Sequence, residues 1–142
     1  MPLTLFEKIW KSHRVIKGES QPDLIYIDRI FLHERTGSFA LKSLKERSLS
    51  VKNPKHVFAT IDHIIDTFPG RGDGTLMPGG KIFITTMRNL AKEFNITLFD
   101  INDPRHGISH LISAEQGIAL PGNIVTCPDS HTCTLGALGA IG

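Results

Sequence analysis

Two periodicities run through the chain. Thr4 and Glu7 form a T-x-x-E capping box, and Leu5, Phe6, Ile9 and Trp10 then share one helical face. This predicts a helix over 5–13. A loop rich in Gly, Ser and Pro spans Gly18 to Asp23. The apolar run LIYIDRIFL, Leu24 to Leu32, reads as a buried strand. Ser38 can cap a second helix reaching about Glu46, with Phe39, Leu41 and Leu44 toward its inner side. Pro54 breaks the following loop, and the β-branched run Val57 to Ile61 predicts a strand. Asp66 to Lys81 is a long stretch rich in glycine and proline, a functional or mobile loop by its length. Phe83, Met87, Leu90 and Phe94 fall at the spacing of a helix buried on one face, with Asn95 as its stop. Ile96 to Ile101 and Asn123 to Thr126 complete the strands. The last strand leads into CPDSHTCTLGALGAIG, whose small residues read as the opening of a further helix. Helices alternating with strands predict one α/β unit, a parallel or mixed sheet with helices on its faces.

In such folds the C-terminal ends of strands carry the chemistry. Three polar clusters fall there: His33-Glu34, Asp62-His63 and Asp129-Ser130-His131. His110 stands in a fourth loop. A lone histidine beside a carboxylate is usually structural, but four such groups at equivalent places point to a shared site. Imidazoles whose tautomer and basicity are fixed by carboxylates can do general acid–base work on a hydroxyl. The same groups are ordinary metal ligands, although their spacings match no zinc signature. A metal site made by this chain alone is therefore the weaker reading.

Composition narrows the classes. The chain has 142 residues, 40% hydrophobic and 21% charged, with a net charge of +2. That is ordinary globular composition, enough for one core, and the scattered basic residues do not favour a nucleic-acid partner. No apolar run is long enough to span a bilayer, and the first residues lack the pattern of a secretory signal. A cytoplasmic protein is expected. Arg71-Gly72-Asp73 has no extracellular setting in which to act as an adhesion tripeptide. Gly79-Gly80-Lys81 is followed by Ile82 rather than the Ser or Thr of a phosphate loop. Cys127 and Cys133 have no cluster-binding spacing.

Asp129-Ser130-His131-Thr132, followed by a Gly/Ala-rich segment, resembles the DSHT signature of the aconitase superfamily. Within it, the chain is most similar to the large subunits of 3-isopropylmalate dehydratases (isopropylmalate isomerases). TLFEKIWKSH, YIDRIFLHE, FATIDH, LFDINDPRHGISH and EQGIALPGNIVTCPDSHT resemble successive blocks of such a subunit, in order. The resemblance covers about the N-terminal third of it. It implies a three-layer α/β/α fold of aconitase type with a mostly parallel sheet. Residues 1–142 would be the N-terminal part of one domain, incomplete at its C-terminus, without the cluster-ligand and swivelling domains.

The resemblance also implies chemistry. The family dehydrates a hydroxy acid and rehydrates the alkene at the neighbouring carbon, here in leucine biosynthesis. A [4Fe–4S] cluster acts as the Lewis acid. By the resemblance, His63 is the acid that protonates the leaving hydroxyl and Asp62 orients it. His110 and Asp129 are a hydrogen-bonded pair, and His131 belongs to the same shell. His33 falls at a substrate-contacting position, and Ser130 hydrogen-bonds nearby or shapes the turn. The cluster cysteines are expected outside this segment, since neither Cys127 nor Cys133 corresponds to them. The carbon-proton base is expected from a swivelling domain or small subunit. The isolated chain is therefore expected to be inactive. The loop 68–81 and the residues after His33-Glu34 depart from the family pattern, which admits a related hydratase for citraconate, dimethylmalate or another branched acid. Two other classes remain. One is an α/β module holding an anion at a helix N-terminus. The other is a Ser130 hydrolase, which adjacent Asp-Ser-His cannot form and for which no nucleophile elbow exists.

Overall fold

The computed structural model describes residues 2–142. Helix α1 (Leu5–His13) starts at the expected capping box: the Glu7 amide donates to Thr4 Oγ1, and the Thr4 amide donates to the Glu7 carboxylate. Strand β1 (Arg14–Ile16) follows and pairs antiparallel with β2 (Leu24–Ile25). The single strand expected over Leu24 to Leu32 is thus divided, and it resumes as β3 (Arg29–His33). Asp28 explains the break. Its carboxylate accepts the Ile124 amide at 2.7 Å and meets His13 Nε2 at 2.7 Å, which fixes a polar side chain in the middle of an apolar run.

Helix α2 (Glu34–Glu46) starts directly at the end of β3 rather than at Ser38, which is buried inside the helix. Strand β4 (Val57–Thr60), helix α3 (Gly80–Glu93) and strand β5 (Thr97–Phe99) follow the expected order. Asn95 ends α3 at φ 56°, a left-handed conformation that asparagine tolerates better than most residues. Helix α4 (Ser109–Glu115) occupies a stretch expected to be loop, so His110 lies in a first helical turn. Strand β6 (Val125–Thr126) precedes a 3-10 helix over Thr132–Leu138. The expected final α-helix does not form. Gly139, at φ 74°, ends the turn, and Ile141 returns to bridge Ile124 in parallel. Glycine at 136 and 139 weakens any longer helix.

β5, β4, β3 and β6 form one sheet in that order, with every pair parallel. Side-chain alternation divides its two faces. Leu32, Val57 and Ala59 pack with Leu41, Met87 and Leu90 of α2 and α3. Phe31 and Phe99 pack with Ile112 of α4 and Ile118. The result is the expected α/β/α sandwich. At Gly37 a β-carbon would lie 2.7 Å from Met87 Cε and 2.8 Å from Leu32 Cβ, so α2 approaches both its neighbours through the missing side chain. Among the described residues, no helix is long and apolar enough to cross a membrane.

The chain runs outward from β3 through β4 to β5, then returns to place β6 on the other side of β3. The strand order reverses between β3 and β6. A crevice opens at the C-terminal ends of strands at such a reversal.

Candidate active site

The residues at those strand ends converge. His33 ends β3, Asp62 and His63 follow β4, and Asp129 follows β6. The His63 ring sits between two carboxylates, Nδ1 at 2.6 Å from Asp62 Oδ1 and Nε2 at 2.9 Å from Asp129 Oδ2. A carboxylate only accepts, so both ring nitrogens must donate, and the arrangement selects the imidazolium. Burial works against that charge. The hydrogen bond and charge of Asp62, the bond from Asp129 and the more distant charge of Glu34 outweigh burial and raise the His63 pKa above its ordinary value.

Asp129 collects donors. Its Oδ1 accepts the His131 amide at 2.7 Å and His110 Nε2 at 2.8 Å, while Oδ2 takes His63. The His131 amide first, then His110 and His63, hold its carboxyl well below the usual carboxylate range against the opposing effect of burial. The His131 ring is 76% exposed, with Nδ1 at 3.0 Å from Ser130 Oγ and 3.4 Å from Asp129 Oδ1.

Behind these groups lies a supporting layer. His33 is 1% exposed and stacks on His63, ring centroids 3.7 Å apart. Its Nε2 donates to the Pro128 carbonyl at 2.9 Å, tying β3 to the segment that carries Asp129, and its Nδ1 has no partner. Glu34 is fully buried and accepts the amides of Asp62, His63 and Ile64. Asp62 Oδ2 accepts the Ser109 amide at 3.1 Å, which joins α4 to the turn after β4. His106 supports the same turn, with Nε2 donating to the Ile61 carbonyl at 2.7 Å and Nδ1 accepting from Arg71 of the glycine-rich loop at 3.1 Å.

Asp62, His63, His110, Asp129 and His131 line one cavity of about 790 Å³ together with the apolar Ile108, Leu111 and Leu138. The five residues expected to do chemistry therefore line the same cavity. Of the two expected to contact substrate, His33 is covered by His63 and Ser130 stands beside His131 at the rim. Ser109 and His106 are parts of the site that the sequence reading does not include, and Glu34, grouped there with His33, has a supporting role that the reading does not assign. Glu34 adjoins a strand-end histidine, which was a usable signal, but its backbone partners lie about thirty residues away in the chain and leave no trace in the sequence.

The thiols do not fit an iron–sulfur cluster. Cluster iron is held by thiolates, and among the described residues neither cysteine joins a group of side chains close enough to share an ion; burial, with the charges of Asp129 and Asp62, pushes the Cys127 thiol up. Its Sγ points to Ser109 Oγ at 3.8 Å. Cys133 is exposed on the 3-10 helix. The donors at the cavity are imidazoles and carboxylates.

A model of the "Aconitase family (aconitate hydratase)" matches residues 7–142. The "3-isopropylmalate dehydratase large subunit 1" of Bradyrhizobium diazoefficiens is 44% identical over 97% of this chain and 28% of its own length. The "3-isopropylmalate dehydratase large subunit 2" of Salmonella typhimurium is 41% identical over 98% of this chain and 30% of its own. The "3-isopropylmalate dehydratase large subunit 1" of Mannheimia succiniciproducens is 41% identical over 100% of this chain and 30% of its own. The chain thus spans less than a third of the length of these curated relatives.

Proposed function

The chain belongs to the aconitase family, and on that premise we propose that it is the acid-bearing part of a 3-isopropylmalate dehydratase. Such an enzyme interconverts 2- and 3-isopropylmalate through an alkene. The observation that carries this reading is His63, held doubly donating between Asp62 and Asp129 on the cavity wall.

The dehydration step needs a C–O bond to break and the oxygen to leave as water. His63 supplies the proton. Asp62, whose side chain is 4% exposed, stays as the fixed partner of Nδ1 and sets the ring plane. The Nε2 proton, directed to Asp129 at the cavity, is the one available to a substrate hydroxyl that competes for it. Asp129 then keeps hydrogen bonds from His110 and the His131 amide, so its charge is still compensated when His63 turns to the substrate. In the rehydration half, neutral His63 takes a proton back from the attacking water. His131, exposed at the rim, is suited to meet a substrate carboxylate. His33 acts through His63, by packing flat on it. The apolar wall of Ile108, Leu111 and Leu138 suits a branched aliphatic substituent.

In this reading residues 1–142 are part of one α/β/α domain. The [4Fe–4S] cluster that the family implies is held by thiolates other than Cys127 and Cys133, and a small subunit supplies the swivelling domain and carbon-proton base. The test uses the whole large subunit with its small subunit, following hydration of isopropylmaleate, with citraconate as a second substrate. His63→Gln should lower kcat by about 10² to 10⁴, the usual value of a positioned acid, with a smaller change in KM. Activity within a few-fold of the parent would remove His63 from the chemistry. A preference for citraconate would retain the reaction type and change the substrate.

A further inference from the structure

We propose that Thr132 is a positioning residue for the dehydration, its hydroxyl holding the turn after β6 in the shape that aims the Asp129 carboxylate at His63. Thr132 ends the run Asp129-Ser130-His131-Thr132 and is the one member with no part in the acid–base reading. It is 7% exposed and does not line the cavity.

The need for the hydroxyl follows from the backbone. β6 ends at Thr126 and the 3-10 helix begins at Thr132, so the carbonyls of Cys127, Pro128 and Asp129 lie outside both. All three accept from side chains. His33 Nε2 donates to the Pro128 carbonyl at 2.9 Å. The Thr132 hydroxyl lies 2.7 Å from the Asp129 carbonyl and 3.1 Å from the Cys127 carbonyl, and its one hydrogen serves both. The Thr132 amide reaches the Asp129 carbonyl at 3.4 Å, beyond the usual range, and holds the turn weakly.

A second closure runs the other way, from the His131 amide to Asp129 Oδ1 at 2.7 Å. The hydroxyl thus fixes the main chain of Asp129, and the amide fixes its carboxylate. Together they set the direction in which Oδ2 meets His63 at 2.9 Å and Oδ1 meets His110 at 2.8 Å. His33 fixes where this turn sits on the sheet, whereas Thr132 fixes its shape. The chain returns over Thr132 at Gly142, where a β-carbon would overlap the Thr132 carbonyl. Under that cover the hydroxyl has no ready replacement in water. Its removal leaves two part-buried carbonyls without their donor, and the turn relaxes.

The effect on rate rests on the dehydratase reading of His63. The effect on the His63 titration needs no turnover, and it decides the role of Thr132 even if isopropylmalate is not the substrate. The test uses the whole large subunit with its small subunit. Dehydration of 3-isopropylmalate is followed by the ultraviolet absorbance of the alkene, and the His63 Hε1 resonance is titrated in the same proteins. Thr132→Val and Thr132→Ala should lower kcat/KM by about tenfold to a hundredfold, the scale of a misplacement of about 1 Å. His63 must be protonated to act as the acid, and its bond to Asp129 raises its pKa. The alkaline limb of kcat/KM, which reports the free enzyme, should therefore move to lower pH, together with the His63 titration. Thr132→Ser keeps the hydroxyl and should restore both curves. Serine and alanine differ only in that hydroxyl, so this pair decides the matter if Thr132→Val does not fold. Parent-like curves in Thr132→Ala, or Thr132→Ser as impaired as Thr132→Ala, would overturn the proposal. A lower rate with both pH curves unmoved would overturn it too, because a merely structural role does that.

Discussion

Replacing Glu34 by glutamine tests whether the acid's position depends on a buried carboxylate that touches no substrate. The glutamate is fully buried and accepts three consecutive amides, from Asp62 at 3.1 Å, His63 at 2.8 Å and Ile64. Glutamine keeps the volume but turns one acceptor oxygen into an NH₂ donor, which then faces amide hydrogens. A hydrogen bond to a charged acceptor is worth about 1.5–3 kcal/mol, and a buried donor left without one costs about 1–3 kcal/mol. With partial rearrangement, Glu34→Gln should cost about 3 kcal/mol, a large share of a typical stability of about 5–15 kcal/mol. With a urea slope of about 1–3 kcal/mol/M, the midpoint should fall by about 1–3 M. Glu46→Gln is the comparison. It removes an exposed i,i+4 pair with Lys42, an interaction worth only about 0.3–0.5 kcal/mol. If the two variants unfold at similar urea concentrations, the amide-acceptor role of Glu34 is wrong. If Glu34→Gln lowers the His63 pKa while the midpoint holds, Glu34 acts only through its charge.

Four further outcomes are expected. The His63 Hε1 resonance should titrate above 6.5, its ordinary value, and Asp129→Asn should bring the midpoint down; because the folded pKa is raised, the stability from this group is complete below 6.5 and is lost as pH rises through the folded value. Asp129 is shifted the other way, so its contribution is present above 3.8 and is lost as pH falls toward the folded value; acid unfolding of Asp129→Asn should show a correspondingly weaker pH dependence below pH 3.8. Gly37→Ala should destabilise by about 1–3 kcal/mol through overpacking against Met87 and Leu32, measured by urea unfolding. Arg71→Ala removes the guanidinium that donates to His106 Nδ1 and should speed protease cleavage within residues 66–79 without moving the His63 titration.

Local signals were the most legible part of the fold. The T-x-x-E box marks the start of α1, and the Phe83/Met87/Leu90/Phe94 spacing marks α3, because both depend on neighbours a turn apart. The break at Asp28 was not legible. Nothing local shows that this carboxylate is needed by Ile124 and His13. Helix α4 was missed for a related reason. It has seven residues and no side-chain cap, and its place is fixed by the Ser109 amide on Asp62 and by Ile112 in the core. The site was more legible than its supports. Strand ends in a parallel sheet point the same way, so polar groups after three strands could be expected together. Which face each ring presents depended on tertiary contacts, and so His33 lies under His63 instead of beside the cavity.

That burial gives His33 a consequence beyond packing. β6 has only two residues and meets β3 by two register pairs, Arg29 with Val125 and Ile30 with Thr126. So short a ladder gives little hold on the residues beyond it, yet Asp129, three positions past its end, must sit within 3 Å of both His63 and His110. The His33 bond to the Pro128 carbonyl provides the missing constraint, because it fixes the peptide next to Asp129 to the end of β3. One imidazole thereby sets both parts of the acid's environment: its face positions the His63 ring, and its Nε2 positions the carboxylate that takes the other side of His63. His33→Phe would keep the stacking and remove the hydrogen bond. It should loosen Asp129 while leaving the His63–Asp62 pair intact, so that the His63 pKa falls toward the value seen in Asp129→Asn. A His33→Phe protein whose His63 titrates like the parent would show that β6 alone is stiff enough to place Asp129.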